Sequence, residues 1–158
     1  MNEKYLYERL NKNTNYNVWM AFPGIYSFSM SSLGYLWICK NIDLLENVNL
    51  ERICSDTKTT KYMLQDIDLM GFSFSFDLDF LNIFKILDKY KIPLKSEDRN
   101  EFHPLIFGGG PVLTSNPEPF SAFFDFIIIT VCRPINTNIT SCLRFNLFNI
   151  SAEMVGMR

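Results

Sequence analysis

A single histidine, four cysteines and a run of three glycines are the parts of this 158-residue chain from which a reaction centre would have to be built. His103 stands directly before Pro104, at the entrance of an apolar run. That places it at the end of a strand away from ligand-bearing loops, where its role is structural and no catalytic triad can form around it. Cys39, Cys54, Cys132 and Cys142 lie ten or more residues apart with no C-x-x-C pair, which is the pattern of isolated buried thiols and not of a zinc site. Ser27, Ser29, Ser31 and Ser32 cluster at a helix start, where capping of free N–H groups accounts for them, and no G-x-S-x-G elbow accompanies them. Asp77 and Asp79 fall at another helix start, a position that the helix dipole already favours for carboxylates. Gly108-Gly109-Gly110-Pro111 has neither the G-x-G-x-x-G spacing nor the Walker lysine, so it specifies no nucleotide. It does offer main chain that a flat ligand can approach with no Cβ in the way. The expectation is a binding site without an acid, base, nucleophile or metal constellation.

These residues are positioned by an alternation of apolar runs and amphipathic segments. Residues 16–22 form a short apolar run stopped by Pro23-Gly24, as in a buried strand. From Ser27 to about Cys39 the apolar residues keep helical spacing, with Ser27 or Ser29 as N-cap. A weaker strand follows at 50–54, and then a polar connection through 65. The best strand lies at 68–76, continuous at first and then alternating Phe with Ser. Asp77 or Asp79 caps the helix that spans Phe80 to Tyr90, and Ile92-Pro93 ends it. A strand at 104–107 runs into the glycine loop, a short helix opens at Pro117, and 125–129 is a last buried strand. Near-continuously apolar strands alternating with helices predict an open α/β fold: a parallel sheet of about five strands with helices on both faces and right-handed crossovers, Rossmann-like or flavodoxin-like. In such folds ligands bind beyond the carboxyl ends of the strands. Three loops qualify, at 23–27, 73–77 and 108–111, so Pro23, Gly24, Ser73, Ser75, Gly108, Gly109, Gly110 and Pro111 are the candidate contacts, with Thr114 and Ser115 as further donors.

Composition narrows the class. With 47% apolar residues a folded core is expected, and 15 basic against 17 acidic residues leave a net charge of −2, which excludes the basic field that nucleic acid or an anionic lipid surface requires. The first ten residues lack the apolar stretch of a signal peptide and nowhere do eighteen apolar residues run together, so a cytoplasmic protein with no membrane partner is expected. Domain organisation reads as a polar lead at 1–15, an α/β domain at 16–129 and a divergent tail at 130–158, where 143–147 alternates as an edge strand would.

Met20-Ala21-Phe22-Pro23-Gly24-Ile25-Tyr26, Met30-Ser31-Ser32-Leu33-Gly34, Ile67-Asp68-Leu69-Met70-Gly71-Phe72-Ser73, Ile92-Pro93-Leu94, His103-Pro104 through Gly110-Pro111, and Asn116-Pro117-Glu118-Pro119 through Phe124-Asp125-Phe126 follow one another in a familiar order. Together they resemble the N-terminal region of radical S-adenosylmethionine (SAM) proteins that carry a cobalamin-binding-like domain. The resemblance implies a Rossmann-like fold ahead of a barrel that holds a 4Fe–4S cluster and cleaves SAM, with cobalamin contacted by the same three loops. It also implies, for this chain, a small-molecule cofactor and a separate radical domain as partners. Two departures qualify it. No C-x-x-x-C-x-x-C triplet is present, so cluster and SAM belong only to full-length relatives. After Ile129 the family's glycine-and-acid loop is replaced by Thr130-Val131-Cys132-Arg133-Pro134, from which a truncated or frame-disrupted gene is expected. No D-x-H-x-x-G loop supplies an axial histidine, so cobalamin would bind without a protein ligand to cobalt. The alternatives are a stand-alone flavodoxin-like module and a remnant that binds nothing. A receiver domain is excluded by the lack of an acidic pair after the first strand.

Overall fold

The computed structural model describes residues 16–129 together with Tyr7 and Thr14. The rest of the polar lead and all of 130–158, including Cys132, Cys142 and the alternating run at 143–147, lie outside the described residues.

Five strands make one sheet, β1 (Asn17–Phe22), β2 (Asn49–Cys54), β3 (Leu69–Ser73), β4 (Leu105–Gly109) and β5 (Phe126–Ile128). All neighbours are parallel, in the order β2-β1-β3-β4-β5. The fold is therefore the open, all-parallel α/β arrangement predicted. Every residue of β1 is buried, which is why its sequence is continuously apolar after Asn17, whereas the edge strand β2 is half-buried over Asn49, Leu50, Glu51 and Arg52 and reads weakly. The helices are α1 (Tyr26–Ser29), α2 (Leu33–Asp43), α3 (Phe80–Lys89) and α4 (Pro111–Ser115). None of the described helices is long and apolar enough to cross a membrane.

Several boundaries depart from expectation. The single helix predicted from Ser27 is two, α1 and α2. Ser29 and Ser31 donate their hydroxyls back to the carbonyls of Tyr26 and Phe28, both at 2.8 Å, which satisfies the backbone locally and breaks the helix. Ser27 and Ser29 thus cap nothing: Ile25 and Ser32 hold the N-cap positions, without side-chain cap bonds. Asp79 does stand at the N-cap of α3, again without a cap bond. The segment at 118–123 is a 3₁₀ turn, and α4 was not predicted.

Opposite directions of travel in the sheet send the crossovers to opposite faces. On the front face α2 lies over β1 and β2: Tyr35 donates its hydroxyl to the Met20 carbonyl at 2.8 Å and its ring meets Phe22 at 5.2 Å. On the back face Ile83, Ile86 and Leu87 of α3 and Leu113 of α4 pack with Trp19, Met70, Phe72 and Ile106. The amino ends of the strands are aligned by Asp68, whose carboxylate accepts from the Asn17 N–H at 2.8 Å and whose carbonyl accepts from Leu105 N–H at 3.1 Å. Arg99 ties the β4 and β5 crossover together. Its guanidinium pairs with Asp125 at 3.0 Å and donates to the carbonyls of Pro93, Leu94 and Phe123, while the Asp125 carboxylate also accepts from Ile106 N–H.

Two outcomes follow from this packing. Asp125→Ala strands a guanidinium whose side chain is 4% exposed. Chemical denaturation should show a loss of roughly 3 kcal/mol, against almost none for Lys91→Ala, whose pair with Asp88 is exposed. Burial pushes the Cys39 thiol from 9.0 up to about 12, and burial, followed by the Glu51 charge, pushes the Tyr90 phenol from 10.0 up to about 12. Acids raised by folding stabilise the native state below their unfolded pKa and lose that contribution above it. Urea midpoints should therefore hold steady up to about pH 9 and fall between pH 9 and 12.

Candidate functional site

Parallel strands share one carboxyl rim, so the turns after β1, β3 and β4 must gather there. The order of the strands reverses at β1 and β3, which makes the gap between those two ends the switch point where such folds bind ligands. Pro23 and Gly24 leave β1, Ser75 follows β3, and Gly110 and Pro111 follow β4. The turns are tied to one another. Phe74 donates its N–H to the Gly109 carbonyl at 2.8 Å, Ser73 is registered beside Gly109, and Asn82 of α3 donates its amide to the Pro23 carbonyl at 3.2 Å.

The glycine run is less open than its composition suggests. Gly108 and Gly109 are strand residues, and only Gly110 makes the turn, with φ +127°. A Cβ on Gly108 would stand 2.5 Å from Leu113 and 2.9 Å from Phe124, and one on Gly110 would stand 2.3 Å from the Phe74 carbonyl oxygen. Packing within the chain thus demands two of the three glycines. Gly109 alone has room above it, with nothing nearer than 3.7 Å. Ser73 is buried in β3, while Ser75 is half-buried and lines a depression of about 470 Å³ with Asp77, Pro111, Ser115, Asn116 and Phe120. Beneath it Phe74, Phe80 and Phe120 pack ring against ring at 4.7–5.8 Å. Burial also raises the Asp79 carboxyl above its usual range.

The apolar side chains left outside are what the sequence reading missed. Ile25, Phe28, Phe76 and Leu78 belong to the segments that follow β1 and β3, and Phe76 and Leu78 are 70% and 87% exposed. An apolar residue type by itself does not set them apart from the core. The available signal was their place: apolar residues in a loop beyond a strand end have no core to enter.

The remaining chemical candidates lie elsewhere. His103 precedes β4 at the opposite rim, where its Nδ1 accepts from Asn100 N–H at 3.2 Å. Among the described residues no group of three His, Cys, Asp or Glu is placed to hold a metal. The two described cysteines do not fit an iron–sulfur cluster. Cys39 is buried as a neutral thiol, and Cys54, also buried, lies with its Sγ 3.3 Å from the Ser29 hydroxyl. At the start of α1 three amides are already bonded: Tyr26 N–H donates to the Asp56 carboxylate at 2.9 Å, and Phe28 and Ser29 N–H donate to the Ile25 carbonyl.

A family described as "Radical SAM proteins, N-terminal" matches residues 37–146, more than half of the chain, beginning inside α2 and running past β5. No curated protein and no solved structure matches.

The glycines give a direct check on the geometry. Gly110→Ala meets both the left-handed φ and the Phe74 carbonyl, so thermal melts should show a loss of roughly 2 kcal/mol or more. Gly109→Ala fits the space above it and should melt within about 0.5 kcal/mol of the parent chain, apart from a small β-propensity term.

Proposed function

We propose, from the premise that this chain belongs to the radical SAM N-terminal family, that its strand-end rim receives a bulky cofactor of the cobalamin type and that radical chemistry resides in a separate domain. The observation that carries this reading is the apolar margin of the switch point. Ile25 and Phe28 stand on one side of it and Phe76 and Leu78 on the other, all exposed. Four apolar side chains facing water around a ligand-binding rim favour a partner with large flat apolar surface, because covering them releases ordered water at about 25 cal/mol per Å². Beside that margin, Gly109 leaves main chain accessible, and Ser75, Ser115 and Asn116 offer hydrogen bonds to amide-bearing substituents.

The chain's own residues would bind and orient such a cofactor. No proton-transfer or nucleophilic step falls to them, since the rim carries no base paired with a nucleophile among the described residues. Full-length radical SAM proteins use an iron–sulfur cluster and SAM, and the two described thiols do not suit that cluster.

A flavodoxin-like reading fits less well for an electrostatic reason. A flavin phosphate needs free N–H groups after β1, and the Asp56 carboxylate already occupies the amide at the start of α1. A phosphate there would have to displace a like charge.

The test is to add hydroxocobalamin, adenosylcobalamin or flavin mononucleotide to the purified chain and follow absorbance and melting temperature. A cobalamin at a hundred times its Kd should stabilise the fold by about 2.7 kcal/mol, and Phe76→Ser with Leu78→Ser should weaken that shift while leaving the unliganded melt unchanged. No shift with either cobalamin, or a shift with the flavin alone, would overturn the reading.

A further inference from the structure

The turn after β3 and the end of α4 face each other across the depression of about 470 Å³. Packing within the chain holds its walls. Phe74 N–H is bonded to the Gly109 carbonyl at 2.8 Å at the base of both turns, Leu113 anchors α4 in the back core, and the Phe120 ring meets Phe74 edge-on at 5.0 Å. A ligand finds such a cavity formed beforehand and does not have to order it.

Four polar side chains line the depression, Ser75 and Asp77 on one wall and Ser115 and Asn116 on the other. Among the described residues the Ser75 and Ser115 hydroxyls and the Asp77 carboxylate bond to no other group of the chain. Asn116 accepts the Glu118 N–H on its Oδ1 at 3.3 Å, which leaves its NH₂ as a donor. The set is therefore one group that only accepts, one that only donates, and two hydroxyls that do both. Charge narrows the ligand further. Asp77 is the one charged residue among the described residues that line the depression, so a phosphate or carboxylate there meets a like charge with no cation to offset it. An ammonium suits Asp77 but sets donor against donor at Asn116. Neighbouring hydroxyls suit both, donating to the carboxylate and accepting from the amide. Pro111, Val112, Pro119 and Phe120 complete the lining with carbon, which favours a flat ring beside those hydroxyls.

We infer that the depression binds a ribonucleoside, its vicinal ribose hydroxyls on Asp77 and Asn116 and its base against the proline and phenylalanine walls. This goes beyond the cobalamin reading. Ser75, Ser115 and Asn116 supply hydrogen bonds in both, whereas Asp77 and the apolar walls enter only here, and the exposed margin beside β1 plays no part.

Titration of the ¹⁵N-labelled full chain with uridine tests it. The Ser75, Asp77, Ser115 and Asn116 amides should shift and saturate with a Kd of about 1 mM. Loss of one hydrogen bond to the carboxylate should weaken binding about tenfold, whether by 2′-deoxyuridine on the unaltered chain or by Asp77→Asn with uridine. Glu101→Gln, exposed in the loop before β4 at the opposite rim, should leave the Kd unchanged. The dispersion of the amide spectrum checks that each variant stays folded, and the 2′-deoxyuridine arm needs no variant. No saturable shift at those four amides up to about 20 mM uridine would overturn the inference, as would equal affinity for the two nucleosides. Tighter binding of uridine monophosphate than of uridine would overturn it on charge, and methyl glucoside binding as tightly as uridine would reassign the depression to a sugar. Failure here leaves the cobalamin reading to its own melting test, and a chain that ignores cobalamin should still respond to uridine.

Discussion

The approach of Gly110 to the main chain of Phe74 sets the form of the rim. With the Phe74 N–H bonded to Gly109 and its carbonyl facing Gly110 with no room for a Cβ, the turns after β3 and β4 are pressed into a single ledge. The consequences run in both directions. Backward, Phe74 is held so that its ring enters the back core and seats Phe80 and Phe120. Forward, the chain leaves that ledge into α4, whose Leu113 fills the place a Gly108 side chain would need. What remains of the cleft between β3 and β4 is shallow, and the exposed ground of the rim shifts to the switch point beside β1.

The parts of the fold that a sequence shows well are those where burial is nearly complete. β1, and β3 from Met70 to Ser73, are buried residue after residue, and their apolar runs stand out accordingly. α3 reads clearly because Ile83, Ile86 and Leu87 face inward while Lys85 and Asp88 face water. Legibility fails where local chemistry competes with pattern. The split between α1 and α2 depends on serine hydroxyls returning to carbonyls within one turn, which no hydrophobic period encodes. Gly108 and Gly109 look like loop because glycine is common in loops, yet they are strand residues: Gly108 has side chains from two other segments crowding it, and Gly109 pairs with Ser73 and Ile128. Of the site, the gathering of the turns was legible from parallel topology alone. The apolar margin was not, since composition cannot tell an exposed Phe76 from a buried Phe72.

Membership of the radical SAM N-terminal family sits well with how chemistry is distributed in this chain. Burial keeps the Cys39 thiol neutral, His103 serves a turn, and Arg99 with Asp125, an ion pair set deep among the described residues, holds a crossover in shape. The buried polar groups among the described residues are committed to architecture, and the margin of the rim carries exposed apolar side chains.

Gly71 and Phe107 occupy what is in effect one residue's volume shared between two adjacent strands. The ring covers the bare main chain so closely that a methyl at 71 would lie 2.2 Å from it. Neither position can drift by itself: enlarging residue 71 requires residue 107 to shrink in the same step, and shrinking residue 107 first opens a hole in the middle of the sheet. Across descendants of this chain the two should therefore vary as a coupled pair, and a lineage that has lost the aromatic at 107 is where a side chain at 71 should be found.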